Sequence, residues 1–273
     1  MPDKKTLDAM FGQRYKDFGT VGPGLQVAYS IASQHFPIGY IGDKNTPADA
    51  GRTVVDQALG REHGLVFHLV LAHDRHDFVK IMDDVDSIEA GIDGAYPSIT
   101  VPCDGLIIPR TGKPFVVEAF LGDCACIVVS SKSHVGYMHV GWPEITQRPT
   151  GVLEEFFGAW PCPPGETSVW MGPCITGKSF ERRVIPLFLS SYGTETAWFT
   201  KGFSLDQCII DQVCLLGEIP KEKVANVSID PFAVRESGDF SWAASDQWAK
   251  MKSDKLGFPV CNPRNSAMLF VEG

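Results

Sequence analysis

Leu121–Trp142 reads LGDCACIVVSSKSHVGYMHVGW. Two apolar runs flank the turn-forming SSKSH, so the stretch predicts a β-hairpin with strands over Ala125–Ser130 and Val135–Val140. Cys124 stands at the start of the first strand and His139 near the end of the second. A tight turn between them sets the two side by side at the open end of the hairpin. Side chains alternate along a strand, so Cys124 and Cys126 share one face, as do Tyr137 and His139. A cysteine and a histidine on rigid strands suit two chemistries. They form a thiolate nucleophile with its base, or two ligands of a zinc ion whose third ligand comes from elsewhere.

Further strands are predicted at Gln26–Ser30, Leu65–Ala72, Phe78–Ile81, Gly105–Ile108, Phe115–Phe120, Ser168–Met171, Lys223–Ile229 and Ala267–Val271. Helical spacing is read at Pro47–Leu59, Thr150–Trp160, Leu205–Leu216 and Phe240–Leu256. In the third of these, Ser204 is the N-cap, and Leu205, Ile209, Val213 and Leu216 share a face. Strands outnumber helices and the helices fall between strand groups. The expected class is therefore α/β or layered α+β, with mixed sheets flanked by helices. One domain is expected over residues 1–273, with residues 1–20 a polar, frayed N-terminal extension.

The 273 residues carry a net charge of −9, and no basic stripe of the kind nucleic acid requires is visible. No apolar run reaches the ~18 residues of a membrane span, and the N-terminal segment has no apolar signal region. A cytoplasmic protein with a small-molecule substrate is expected, and the sequence leaves its oligomeric state open. The eight cysteines are scattered without a CxxC pair, so they are read as reduced thiols, most of them buried. No GxGxxG follows a strand and no GxxxxGK[ST] occurs, which excludes dinucleotide and P-loop folds.

His73 and His76, in LAHDRHDF, follow the apolar strand at 65–72. Strand ends are frequent places for site residues, and in extended chain at most one of the two joins the site. Asp123, beside Cys124, is placed to orient a ligand histidine. Trp142 and Tyr137 flank His139 and are read as core aromatics or as a platform for a planar base. His35, His63, His68 and His134 are assigned structural or exposed roles.

The order of these segments resembles the laccase-domain family, also called multicopper polyphenol oxidase-like or YfiH-type. LAHD at 71–74 stands at the family's QVHG, and CDGLIIPRTGKP at Cys103–Pro114 at ADALVT. LGDC stands at T-x-DC, HVGW at HAGW, and WMGPCI at LGP-x-I. The resemblance spans about residues 25–270 and implies a layered α/β fold, also found in the deamidase domain of cytotoxic necrotizing factor toxins. It further implies one zinc ion held by His73, Cys124 and His139. The implied activity is phosphorolysis of purine nucleosides, with adenosine deamination on the same site in some members. Gly141, Trp142 and Arg264 are expected substrate contacts; the catalytic group is Cys124, His139 and Asp123, and without metal Cys124 is the nucleophile, His139 the base and His73 or Asp123 the orienting group. Pro143 stands where the family has an arginine, and the YSYRR arginines have no counterpart in FSWAASD. Phosphate recognition relies on such guanidinium groups. Three functions follow: a zinc-dependent phosphorylase, hydrolase or deaminase of nucleosides; a metal-free Cys–His hydrolase or deamidase; and a silent binding protein that keeps the ligand residues. Multicopper chemistry is disfavoured, because it needs many histidines and the chain has seven.

Overall fold

The computed structural model describes residues 1–11, 15–30, 60, 63–69, 78–92, 94, 96–121, 124–141, 151–174, 205–230 and 265–273. Three helices and twelve strands lie among them. They run α1 (Lys4–Phe11), β1 (Tyr15–Gly22), β2 (Leu25–Ser30), β3 (Leu65–Leu69), β4 (Val79–Ile81), β5 (Ser98–Val101), β6 (Gly105–Pro109) and β7 (Phe115–Leu121). There follow β8 (Ala125–Ser130), β9 (His134–Val140), α2 (Val152–Ala159), β10 (Ser168–Met171), α3 (Leu205–Leu216), β11 (Val224–Asn226) and β12 (Asn265–Val271).

The strands form two mixed six-stranded sheets, in the orders β1-β2-β12-β7-β3-β5 and β11-β10-β8-β9-β6-β4. Alternation along each strand sorts the apolar residues into layers. The inward faces of both sheets build the central core: Val27, Phe67, Val117 and Leu269 from the first, Leu106, Cys126, Val128 and Tyr137 from the second. The outer face of the second sheet packs Ile127, Val129 and Met138 against α2 and α3. The outer face of the first sheet packs Val66, Val116 and Met268 against Leu7 of α1. The result is the expected layered α+β arrangement.

Several local expectations change. Residues 1–20, read as a polar extension with a frayed helix, hold α1, whose Leu7 is fully buried, and, beyond that reading, most of β1, which pairs antiparallel with β2. The β1 sequence YKDFGTVG is too polar to announce a strand; its partner supplies the order. The strand expected at Lys223–Ile229 is confined to Val224–Asn226. In α3, Leu216 is exposed, and Cys208 and Ile210 are buried instead. The helices expected at Pro47–Leu59 and Phe240–Leu256, and the Ser204 cap, lie outside the described residues. No helix among the described residues is long and apolar enough to cross a membrane.

The topology is directional. β3 pairs parallel with both β5 and β7 in the first sheet. In the second sheet β4 is parallel to β6, and β6 and β8 are each antiparallel to β9. The three passages β3 to β4, β5 to β6 and β7 to β8 therefore all cross between sheets at one edge. That edge lies beyond the carboxyl ends of β3, β5 and β7. Such strand ends are where open α/β sheets place ligands.

Helix α2 is keyed to the second sheet at Gly136 of β9. A Cβ built there would lie 2.3 Å from Phe156 and 3.1 Å from Trp160, whose rings stack on one another. Only a missing side chain lets the helix approach this closely. Gly136→Ala is expected to cost about 1–3 kcal/mol of stability by overpacking, measured as a shift in denaturation midpoint. An unchanged midpoint would show that Phe156 can move aside freely.

Candidate functional site at the crossover edge

The hairpin of β8 and β9 forms as its sequence predicts, with one change in register. Cys126, not Cys124, lies directly across from His139. Continuing the ladder by one residue beyond Ala125↔Val140 sets Cys124 opposite Gly141, diagonal to His139. The cause is the turn, which spans Ser131–Ser133 and fixes the pairing Ser130↔Val135. Cys124 precedes β8, in the short passage from β7, and is half-buried. Gly141 is buried at the end of β9.

His139 sits on the inward face of the second sheet and is 1% exposed. Its partner is a residue the sequence reading did not single out. Asp104, fully buried, lies in the β5 to β6 passage and continues the β6–β9 ladder opposite His139. The His139 amide donates to the Asp104 carbonyl at 2.7 Å. The side chains meet as well, with His139 Nδ1 3.1 Å from Asp104 Oδ1. With Asp104 ionised the carboxylate only accepts; Nδ1 is then the donor, and Nε2 of the neutral ring is the acceptor nitrogen. That is the tautomer a metal ligand or a general base needs. The signal was present in CDGL: an acidic residue at the start of an apolar strand must be paired if it is buried.

The backbone around Asp104 is held equally firmly. The Asp104 and Gly105 amides donate to the Phe78 carbonyl at 2.9 and 2.8 Å. The Phe78 and Val79 amides donate in turn to the Glu155 carboxylate of α2 at 3.1 and 3.4 Å. The helix thus clamps the end of the β3 to β4 passage against the β5 to β6 passage. Among the described residues, Asp104 Oδ2 is buried without a hydrogen-bond partner. Such an oxygen normally meets an ordered water or a ligand.

The neighbouring cysteines are chemically quiet. Burial pushes the Cys126 thiol up to about 12, with Tyr137 and Tyr29 at hydrogen-bond distance. Burial and the Asp104 carboxylate push Cys103 up to about 12. Both stay neutral thiols at neutral pH, as expected for most cysteines of the chain. Tyr137 is 1% exposed and its hydroxyl donates to the Ala267 carbonyl of the opposite sheet at 3.1 Å, so its role is in the core.

Of the predicted site residues, Cys124, His139 and Gly141 are described, and all three stand at this edge. His73, Asp123, Trp142 and Arg264 lie outside the described residues, as does His76. Among the described residues no three His, Cys, Asp or Glu side chains form a ligand cluster. The other described histidines stand away from this edge. His68 is buried against Glu118 at 3.3 Å, and His63 packs edge-on against Phe270. His134 lies half-buried at the β8–β9 turn.

Three solved structures share this fold. The hypothetical protein YfiH of Bacillus licheniformis superposes with a TM-score of 0.55 at 13% identity, covering 91% of this chain and 93% of its own. Protein NMB0706 of Neisseria meningitidis, a DUF152 protein, gives 0.54 at 14% identity, covering 96% and 100%. YlmD of Geobacillus stearothermophilus gives 0.56 at 16% identity, covering 92% and 93%. Comparison with curated proteins returned no match. The sequence profile of the multi-copper polyphenol oxidoreductase laccase family matches residues 36–225, more than half of the 273. The crossover edge with its Asp104–His139 pair is therefore set in a fold that YfiH, NMB0706 and YlmD share, and the chain belongs to the laccase-domain family.

Proposed function

We propose that the chain is an enzyme of purine nucleosides, working at a zinc ion held by His73, Cys124 and His139. The observation that carries the reading is the fixed orientation of His139 by Asp104 at the edge where β7 passes to β8. Asp104 orients the imidazole; Asp123, expected in such a role, lies outside the described residues. The available groups suit zinc: a thiol, an imidazole with its acceptor nitrogen set, and a carboxylate behind that imidazole. His73 belongs by sequence to the 70–77 stretch between β3 and β4, the first of the three passages between the sheets.

Bound there with three protein ligands, zinc supplies Lewis acidity and lowers the pKa of water at its open position. The chain supplies the rest. Asp104 holds the imidazole in one tautomer and one ring orientation. The Glu155 clamp on Phe78 and Val79 fixes the backbone from which Asp104 projects. Gly141, beyond the last pair of the hairpin, lets a planar ligand approach the backbone closely. Pro143 stands in place of a phosphate-binding arginine, which favours water over phosphate as the group that attacks the nucleoside. The expected reactions are hydrolysis or deamination of adenosine and inosine, with phosphorolysis requiring other donors.

Purified protein incubated with adenosine and inosine, with and without phosphate, should release free base or inosine without phosphate, as separated by chromatography. Base release that requires phosphate would overturn the preference for water. Unchanged nucleosides, with zinc supplied, would overturn the enzyme reading itself. Asp104→Asn retains an acceptor for Nδ1 but loses the charge behind the imidazole. Its zinc affinity should fall about 10–100-fold in a chelator competition, the range seen when such orienting groups are replaced. An unaltered affinity would remove Asp104 from the site.

A further inference from the structure

At the other end of the β8–β9 hairpin, four side chains converge that the nucleoside reading does not use. Cys162 follows α2 and is half-buried, with a free thiol. Its Sγ lies 3.0 Å from Ser131 Oγ, 3.3 Å from Ser133 Oγ and 3.5 Å from His134 Nδ1. Ser133 Oγ lies 2.9 Å from the same Nδ1 and so bridges the thiol and the imidazole. Ser131 Oγ already accepts the amides of Ser133 at 3.2 Å and His134 at 2.9 Å. It donates to the His134 carbonyl at 3.3 Å, and in the 3.0 Å contact with the sulfur either atom is able to donate. Two hydroxyls and an imidazole nitrogen thus face one sulfur. Burial holds the His134 imidazole below its ordinary value, so at neutral pH it is an acceptor for the thiol proton.

The sulfur is held rather than loose. Trp160 Nε1 donates to Thr167 Oγ1 at 2.9 Å, and Thr167 Oγ1 donates to the Pro163 carbonyl at 2.9 Å, closing the loop that carries Cys162. Trp160 also meets the His134 ring edge-on at 6.2 Å. Ser133 and Lys132, at the tip of the turn, are exposed, so the site opens on one side beside a positive charge. That opening suits a small, carboxylate-bearing reagent.

We infer that Cys162 is a thiol–disulfide exchange site that captures low-molecular-weight, anionic disulfides as a mixed disulfide. Cys162 Sγ gives its proton to His134 Nδ1 and forms a bond to one sulfur of the disulfide. The disulfide bond breaks, and its electron pair leaves on the second sulfur. That thiolate takes the proton back from His134. The balance is Cys162–SH plus RS–SR giving Cys162–S–SR plus RSH, with no further oxidant.

The test is to incubate the full chain with oxidised glutathione at neutral pH and map the adducts by peptide mass under non-reducing conditions. Cys214 of α3 is an internal reference: it is also half-buried, and burial and Asp211 push its thiol up. The Cys162 adduct should form at least about tenfold faster than the Cys214 adduct and be reversed by dithiothreitol. His134→Gln should slow it about tenfold while leaving Cys214 unchanged. Equal rates at Cys162 and Cys214 in the unmodified protein would overturn the proposal without reliance on any variant. An unchanged Cys162 rate in His134→Gln would overturn the role of the imidazole.

Discussion

Everything at the candidate site depends on a directional constraint. Three parallel strands of the first sheet, β3, β5 and β7, hand the chain to the second sheet at the same edge. A chain leaving parallel neighbours must leave them at one end, so residues far apart in sequence are delivered together. Asp104 comes from the second passage and Cys124 from the third, while His139 closes the hairpin beside them. The Asp104–His139 contact then converts proximity into chemistry. It holds the His139 ring in one orientation, beside thiols that burial keeps neutral.

The two sheets treat buried charge differently. On the first sheet's outer face, Glu118 accepts from the Ser266 hydroxyl and pairs with His68, all three at most 1% exposed. A buried carboxylate with both oxygens engaged is a satisfied structural group, costly to remove one partner at a time. Asp104 has one oxygen engaged and one without a partner among the described residues. That asymmetry separates a carboxylate that completes a core from one with an oxygen left for a water or a ligand.

Much of the fold was legible in the sequence because the central strands are unambiguous. ACIVVS and HVGYMHV are long apolar runs around a Ser-Lys-Ser turn, and no helix period fits them. The edge strands were not legible. β1 is half-polar along its length, and β5, SITV, has only Val101 buried, so each takes its order from a neighbour. The register at the candidate site was not legible. The pairing Cys126↔His139 depends on where the Ser131–Ser133 turn closes, and a one-residue difference there changes which cysteine lies opposite. Asp104 was missed because its partner lies 35 residues away, beyond any local pattern. Cys162 and His134 meet for the same reason: the packing of α2 over Gly136 brings the segment after the helix back to the turn.

His139, held by Asp104, is proposed to share a zinc ion with Cys124 and His73. Zinc K-edge X-ray absorption of the zinc-loaded protein reads the ligand shell directly. One sulfur at about 2.3 Å and two imidazole nitrogens at about 2.0–2.1 Å are expected, with one lighter ligand completing four. A shell without sulfur, or a protein that retains no zinc after dialysis, would contradict it.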